Sequence, residues 1–141
     1  MEFKVVIDTS VLISGLYSRK GAAFKLLEEI DHSDLKVFIS TSLILEYEAV
    51  AKRETEKYWL DSSLLDAFID HICANCHETS IYFNWRPLLS DPNDDFVLEL
   101  AVASGAEWIV TYNTSDFQGS EKFGVKTITP KELLIKMGVF K

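Results

Sequence analysis

Short unbroken apolar runs alternate along this chain with longer stretches that carry a single apolar stripe. Phe3, Val5, Val6 and Ile7 make the first run and predict a buried strand over 3–8. A short helix is expected over 10–17, capped by Thr9 or Ser10. Residues 22–30 are amphipathic, with Phe24, Leu27 and Ile30 on one side. A second strand is expected over 36–39, after which Ser40 or Thr41 caps a helix reaching about residue 53. Leu64, Leu65, Phe68, Ile69 and Ile72 form the stripe of a helix over 61–73, and 80–83 reads as a short extended piece. Asp91-Pro92 is a helix start, an Asp N-cap followed by proline at the first helical position, and that helix runs to Ser104-Gly105. Strands follow over 107–111 and 125–128. Thr129-Pro130 repeats the start signal and opens the last helix, 131–137.

Strands separated by helices imply parallel crossovers, hence an α/β fold: a three-layer α/β/α sandwich with a central, mostly parallel sheet. No repeat, low-complexity tract or linker interrupts the pattern, so residues 1–141 read as a single domain. In such sheets ligands bind beyond the carboxyl ends of the strands. Asp8 and Asn113 both fall there.

Composition narrows the classes. Hydrophobic residues make up 48% and charged residues 26%, which is a folded chain and not a disordered one. No apolar run approaches membrane-spanning length, and the N-terminus enters a strand directly with no leader pattern. The expectation is a cytoplasmic protein without a membrane partner. The net charge of −8 argues against binding nucleic acid mainly by neutralising phosphates. It argues less against a nuclease, whose active-site acids are part of that total.

The acids stand at telling positions. Asp8 ends the first strand, Glu46 interrupts an apolar helical stretch, Asp94 opens the helix after Pro92, and Asn113 and Asp116 follow the strand that ends at Thr111. Each has a plain reading too. Asp8 caps the next helix, Glu46 is a rim residue, Asp91 is an N-cap, Asp95 and Glu99 are solvated, and Asn113 or Asp116 serves a turn. Acids held together repel, and the usual compensation is a hard divalent cation held by oxygen ligands. That points to metal-assisted chemistry on a phosphate.

Four segments together carry a family resemblance: Val-Val-Ile-Asp-Thr-Ser-Val-Leu-Ile-Ser-Gly-Leu at 5–16, Ser-Thr-Ser-Leu-Ile-Leu-Glu-Tyr-Glu-Ala-Val at 40–50, Asp-Pro-Asn-Asp-Asp-Phe-Val-Leu-Glu-Leu-Ala at 91–101, and Gly-Ala-Glu-Trp-Ile-Val-Thr-Tyr-Asn-Thr-Ser-Asp-Phe at 105–117. In order and spacing they resemble the PIN domain family, especially the VapC-like toxin ribonucleases of toxin–antitoxin pairs. The resemblance implies a PIN-like fold and a divalent-metal-dependent endoribonuclease. Asp8, Glu46 and Asp94 would be catalytic and would hold Mg²⁺ or Mn²⁺. Asn113 stands where many members have the fourth acid, and Asp116 follows three residues later, so either could supply the fourth metal contact. The implied partners are an RNA substrate, an antitoxin protein and a second copy in a homodimer. The alternative is a non-catalytic PIN-like RNA-binding or protein-interaction module, which Asn113 keeps open.

One motif lies outside that pattern. Cys73-Ala-Asn-Cys76-His77 has the C-x-x-C-H spacing of haem attachment, and with His71 could be half a zinc site. Haem of this type belongs to exported proteins, and no second half-site follows. The plainer expectation is that Cys73 lies on the buried side of its helix as a reduced thiol. A dehalogenase-like phosphatase would need an acid where this chain has Ser10.

Overall fold

Val5, Val6 and Ile7 are buried one after another. Successive side chains of a strand point to opposite faces, so the strand they form, β1 (Phe3–Ile7), is covered on both. That is the condition of a parallel sheet inside an α/β protein. The computed structural model describes residues 2–58, 61–80 and 92–140, the side chains of 92–95 excepted. In it β1 is followed by α1 (Thr9–Tyr17), α2 (Ala22–Glu28), β2 (Leu35–Ile39), α3 (Thr41–Tyr58), α4 (Ser62–Asn75), β3 (His77–Glu78), α5 (Pro92–Ser104), β4 (Trp108–Val110), β5 (Lys126–Ile128) and α6 (Pro130–Lys136).

The strands lie in the order β3-β2-β1-β4-β5, and every pairing is parallel. The chain adds β2 and β3 on one side of β1, then returns to add β4 and β5 on the other. Crossovers in both directions are right-handed only when their helices lie on opposite faces, which produces the three layers. Val5 stands beside Val37 of β2, and Ile7 beside Val110 of β4. The core fills both faces with Leu12 and Leu16 of α1, Leu26 and Leu27 of α2, Leu43 and Tyr47 of α3, Leu98 and Leu100 of α5, and Leu133 and Leu134 of α6.

The expected helix signals act as local chemistry requires. Ser40 Oγ accepts the Leu43 amide at 3.2 Å and starts α3. Asp61 caps α4 through the Ser63 and Leu64 amides. Thr129 and Glu132 form a reciprocal capping box at α6. Gly105, at φ 75°, turns the chain out of α5. The expected Asp91 cap lies outside the described residues.

The structure differs from the sequence reading at four places. The N-cap position of α1 is Asp8 and not Thr9 or Ser10. Helix α3 runs to Tyr58 instead of about residue 53, because Ala51 and Thr55 continue its buried face one turn farther. Next to β2 lies the strand His77–Glu78, which the sequence reading did not expect; of the extended piece expected over 80–83, residues 81–83 lie outside the described residues. Between β4 and β5 the chain forms two 3₁₀ turns, Thr114–Phe117 and Ser120–Phe123.

Candidate active site

The strand order reverses between β1 and β4, and a crevice opens at such a point beyond the strands' carboxyl ends. Asp8 and Thr111 are the residues that follow those two strands. Their backbones continue the ladder by one step: the Asp8 amide donates to Val110 O at 2.9 Å and the Thr111 amide to Ile128 O at 2.9 Å. Both side chains are thereby fixed at the sheet edge.

Asp8 occupies the N-cap position of α1, with φ −68° and ψ 150°, but its side chain makes no capping bond. The carboxylate, only 8% exposed, turns to two hydroxyls instead. Thr111 Oγ1 donates to Asp8 Oδ2 at 2.7 Å and Ser10 Oγ donates to the same oxygen at 2.9 Å. Each hydroxyl also accepts an amide from the loop after β4. Ser10 Oγ receives Tyr112 N at 3.3 Å, and Thr111 Oγ1 receives Asn113 N at 2.9 Å. A hydroxyl has one proton and two lone pairs, so each can donate to Asp8 while accepting an amide, and the two hydroxyl oxygens lie 3.4 Å apart. Hydrogen bonds to an ionised acceptor are the stronger kind. The network clasps the first motif of the chain to the last.

Glu46 reaches the same edge from α3. It is half-buried, and its Oε2 accepts Thr9 Oγ1 at 3.3 Å. Its neighbour Tyr47 is buried and donates its hydroxyl to the carbonyl of Ile7, the residue before Asp8. Burial pushes the Tyr47 phenol well above its ordinary pKa, and negative charge at Cys76, Asp8 and Glu46 pushes it in the same direction. The phenol therefore stays protonated and pins α3 to the last residue of β1, with Asp8 and Glu46 both close enough to act on it.

The remaining expected residues fall into two groups. Asn113 and Asp116 are exposed. Asn113 heads the Thr114–Phe117 turn and is tied through its amide to the hydroxyl that serves Asp8. Asp116 lies one turn farther, its amide on Asn113 O at 3.0 Å. Asp94 falls in the first turn of α5, and α5 packs on β1, β2 and β4 and touches α3. The side chains of Asp94 and Asp95 lie outside the described residues, as does Asp91. Glu99, expected to be solvated, is 1% exposed. Helix α5 also buries Val97, Leu98, Leu100 and Ala101, so it is enclosed over more than one face, and Glu99 lies inside.

Among the described residues no three His, Cys, Asp or Glu side chains converge as metal ligands. What the structure brings to one edge is Asp8, held by Ser10 and Thr111, and Glu46, held by the hydroxyl of the next residue, Thr9. That donor set is all hard oxygen, and it suits Mg²⁺ or Mn²⁺ better than a thiophilic metal. Sequence reasoning gave Thr111 and Tyr47 no role. The signal for Thr111 was a polar residue continuing an apolar strand at its carboxyl end.

The cysteine motif resolves differently from expectation. Cys73 is exposed, and Cys76 is the more enclosed of the two. Helix α4 buries Leu65, Phe68 and Ile72. At 100° per residue Cys73 falls to one side of that stripe, whereas Cys76, at the C-cap, returns toward it. Burial, with the neighbouring Cys73 adding to it, pushes the Cys76 thiol up to about 12. The His77 ring leans on Phe38, with centroids 5.9 Å apart.

A family model described as PIN domain matches residues 4–115. The match runs from β1 into the turn after β4, takes in Asp8, Glu46, Asp94 and Asn113, and stops one residue short of Asp116. No curated protein matches the chain.

Proposed function

The chain belongs to the PIN domain family, whose members are in general nucleases, and from that premise we propose that it is a divalent-metal-dependent endoribonuclease. The observation that carries this reading is the Asp8 carboxylate. It stands at the switch point of the sheet, released from helix capping, with two hydroxyls committed to one of its oxygens and Glu46 one residue's reach away.

Asp8 and Glu46 would hold Mg²⁺ or Mn²⁺, with Asp94 from α5 as the third acid and Asn113 or Asp116 as the fourth contact. When bound, the cation supplies charge stabilisation of the phosphodiester and lowers the pKa of an attacking water. The chain's own groups do the positioning. Ser10 and Thr111 fix the rotamer of Asp8, because both donate to its Oδ2. Thr9 orients Glu46. Tyr47 holds the backbone that carries Asp8. With a net charge of −8, the chain would grip RNA at this crevice and not through a broad basic surface.

Beyond the reaction, the four sequence segments support the toxin of a toxin–antitoxin pair: a single cytoplasmic domain over 1–141, held in check by an antitoxin and acting as a homodimer. The deciding experiment is cleavage of single-stranded RNA with Mg²⁺, Mn²⁺ or EDTA by wild type and Asp8→Asn. Asparagine keeps an acceptor for Ser10 and Thr111 but removes the charge, so the variant should stay folded and lose about a hundredfold or more in rate. Cleavage that survives both EDTA and Asp8→Asn would refute the reading. Wild type that binds RNA without cutting it would favour a non-catalytic module.

A further inference from the structure

Six large hydrophobic side chains are exposed among the described residues: Tyr17, Leu45, Tyr58, Tyr112, Phe123 and Ile135. Tyr17 and Tyr58 lean on each other, with ring centroids 5.9 Å apart, and the Tyr17 hydroxyl is taken by Glu54. Leu45, on α3, lies in a cavity wall with Cys73 and Cys76. Ile135 is on α6. Tyr112 is different in kind. It stands between Thr111, which donates to Asp8, and Asn113, whose amide bonds back to Thr111. Its own amide is held by Ser10 Oγ, which also donates to Asp8. Its side chain is 44% exposed.

An exposed aromatic ring costs solubility and adds nothing to a core. Here it is mounted on backbone held from both sides by the hydroxyls that position Asp8. The ring is free to meet a ligand, but its Cα has little freedom to move relative to the carboxylate. Single-stranded RNA is bound in this way, by unstacked bases laid on aromatic faces beside a backbone-tracking site. A phenol is also a low-entropy platform, having only two side-chain torsions to fix.

We propose that Tyr112 is the stacking platform for a nucleobase next to the scissile phosphate, and so a substrate-positioning residue that commits the crevice to single-stranded RNA. This rests on the nuclease reading above. Stacking tolerates any base, so Tyr112 would set where along a single strand the cut falls relative to an unpaired base, without choosing the base.

The test compares wild type, Tyr112→Ala, Tyr112→Trp and, as a remote exposed aromatic, Tyr58→Ala, on a single-stranded oligoribonucleotide with Mn²⁺. Loss of one stacked base weakens binding by about 5- to 150-fold. Tyr112→Ala should raise KM within that range with a smaller change in kcat, Tyr112→Trp should restore it, and Tyr58→Ala should match wild type. Dissociation constants measured in the Asp8→Asn background separate binding from chemistry. A scan of abasic positions completes the cycle: one position should weaken binding to Asp8→Asn alone and leave the Asp8→Asn/Tyr112→Ala protein unaffected. If wild type cleaves but Tyr112→Ala has the same KM, or every abasic position weakens both proteins equally, the stacking assignment fails and the nuclease stands. If wild type neither binds nor cleaves RNA, both fail.

Discussion

Replacing Tyr47 by phenylalanine removes one oxygen from a fully packed position and tests how β1 is held in place for Asp8. The ring is 1% exposed, so phenylalanine leaves its packing unchanged. The hydroxyl lost is the donor to Ile7 O. An ordinary hydrogen bond contributes about 1 kcal/mol net, and a buried acceptor left without its donor costs about 1–3 kcal/mol. Ile7 is only 2% exposed, so the cost should fall well inside that span, at about 2 kcal/mol. For a chain of this length that is a drop in Tm of roughly 5–8 °C. Urea melts in EDTA buffer at pH 7 measure it directly.

A second arm follows from the sign of the titration. The folded phenol ionises above its ordinary value of 10.0. Its contribution is therefore complete below pH 10 and is lost as pH rises toward the folded value, because the unfolded chain releases the proton first. Above pH 10 wild type should lose stability faster than Tyr47→Phe, and the gap between them should narrow. Equal stability at pH 7 would refute the pinning role. An unchanged gap up to the alkaline limit would show that Tyr47 is not the buried phenol being held protonated.

Three further outcomes are expected. Thr111→Val, at a position with no exposure, removes the 2.7 Å donor to Asp8 and the acceptor for Asn113 N. It should cost about 1.5–3 kcal/mol in the urea melt and weaken Mn²⁺ binding by calorimetry; unchanged values in both would mean the hydroxyl does not position Asp8. Iodoacetamide at pH 8 should label the exposed Cys73 rapidly in the native protein and Cys76 only after unfolding, since burial holds that thiol up near 12, and peptide mass mapping showing the reverse order would contradict that placement. Asp61 is held below the ordinary carboxylate range, first by the Ser63 hydroxyl and then by the Leu64 amide. Its stabilising effect is present above the ordinary carboxylate pKa and lost as pH falls further, so Asp61→Asn should flatten the acid limb of a Tm profile below about pH 4.

The fold was legible because its signals are local. Val5 to Ile7 announce a strand buried on both faces, and Thr129 announces a helix start by a side chain bonded to an amide three residues away. The placement of Asp8 at the sheet edge follows from the same run. What was not legible depends on partners far along the chain or on enclosure from several directions. Thr111 finds Asp8 across 103 positions, and no periodicity encodes that pairing. Glu99 looks solvated because it shares a stripe with Asp91 and Asp95, but α5 is packed on more than one side. Strand β3 has two residues, both exposed, too few to show an alternation. Cys73 was misplaced because it follows Ile72 by one 100° step and so lies beside the buried stripe of Leu65, Phe68 and Ile72, not on it.

The shortness of β3 has a consequence for assembly. Along the β2 side, the described sheet ends in two residues; along the other, it ends in the three of β5, which begin with the exposed Lys126. Long, flat, apolar margins recruit further strands and lead to fibre-like growth. Margins this brief, one of them charged, present too few free amides and carbonyls to template another chain. Of the described sheet's borders, the row of strand ends that carries Asp8 is therefore the one that offers side-chain chemistry in place of free backbone.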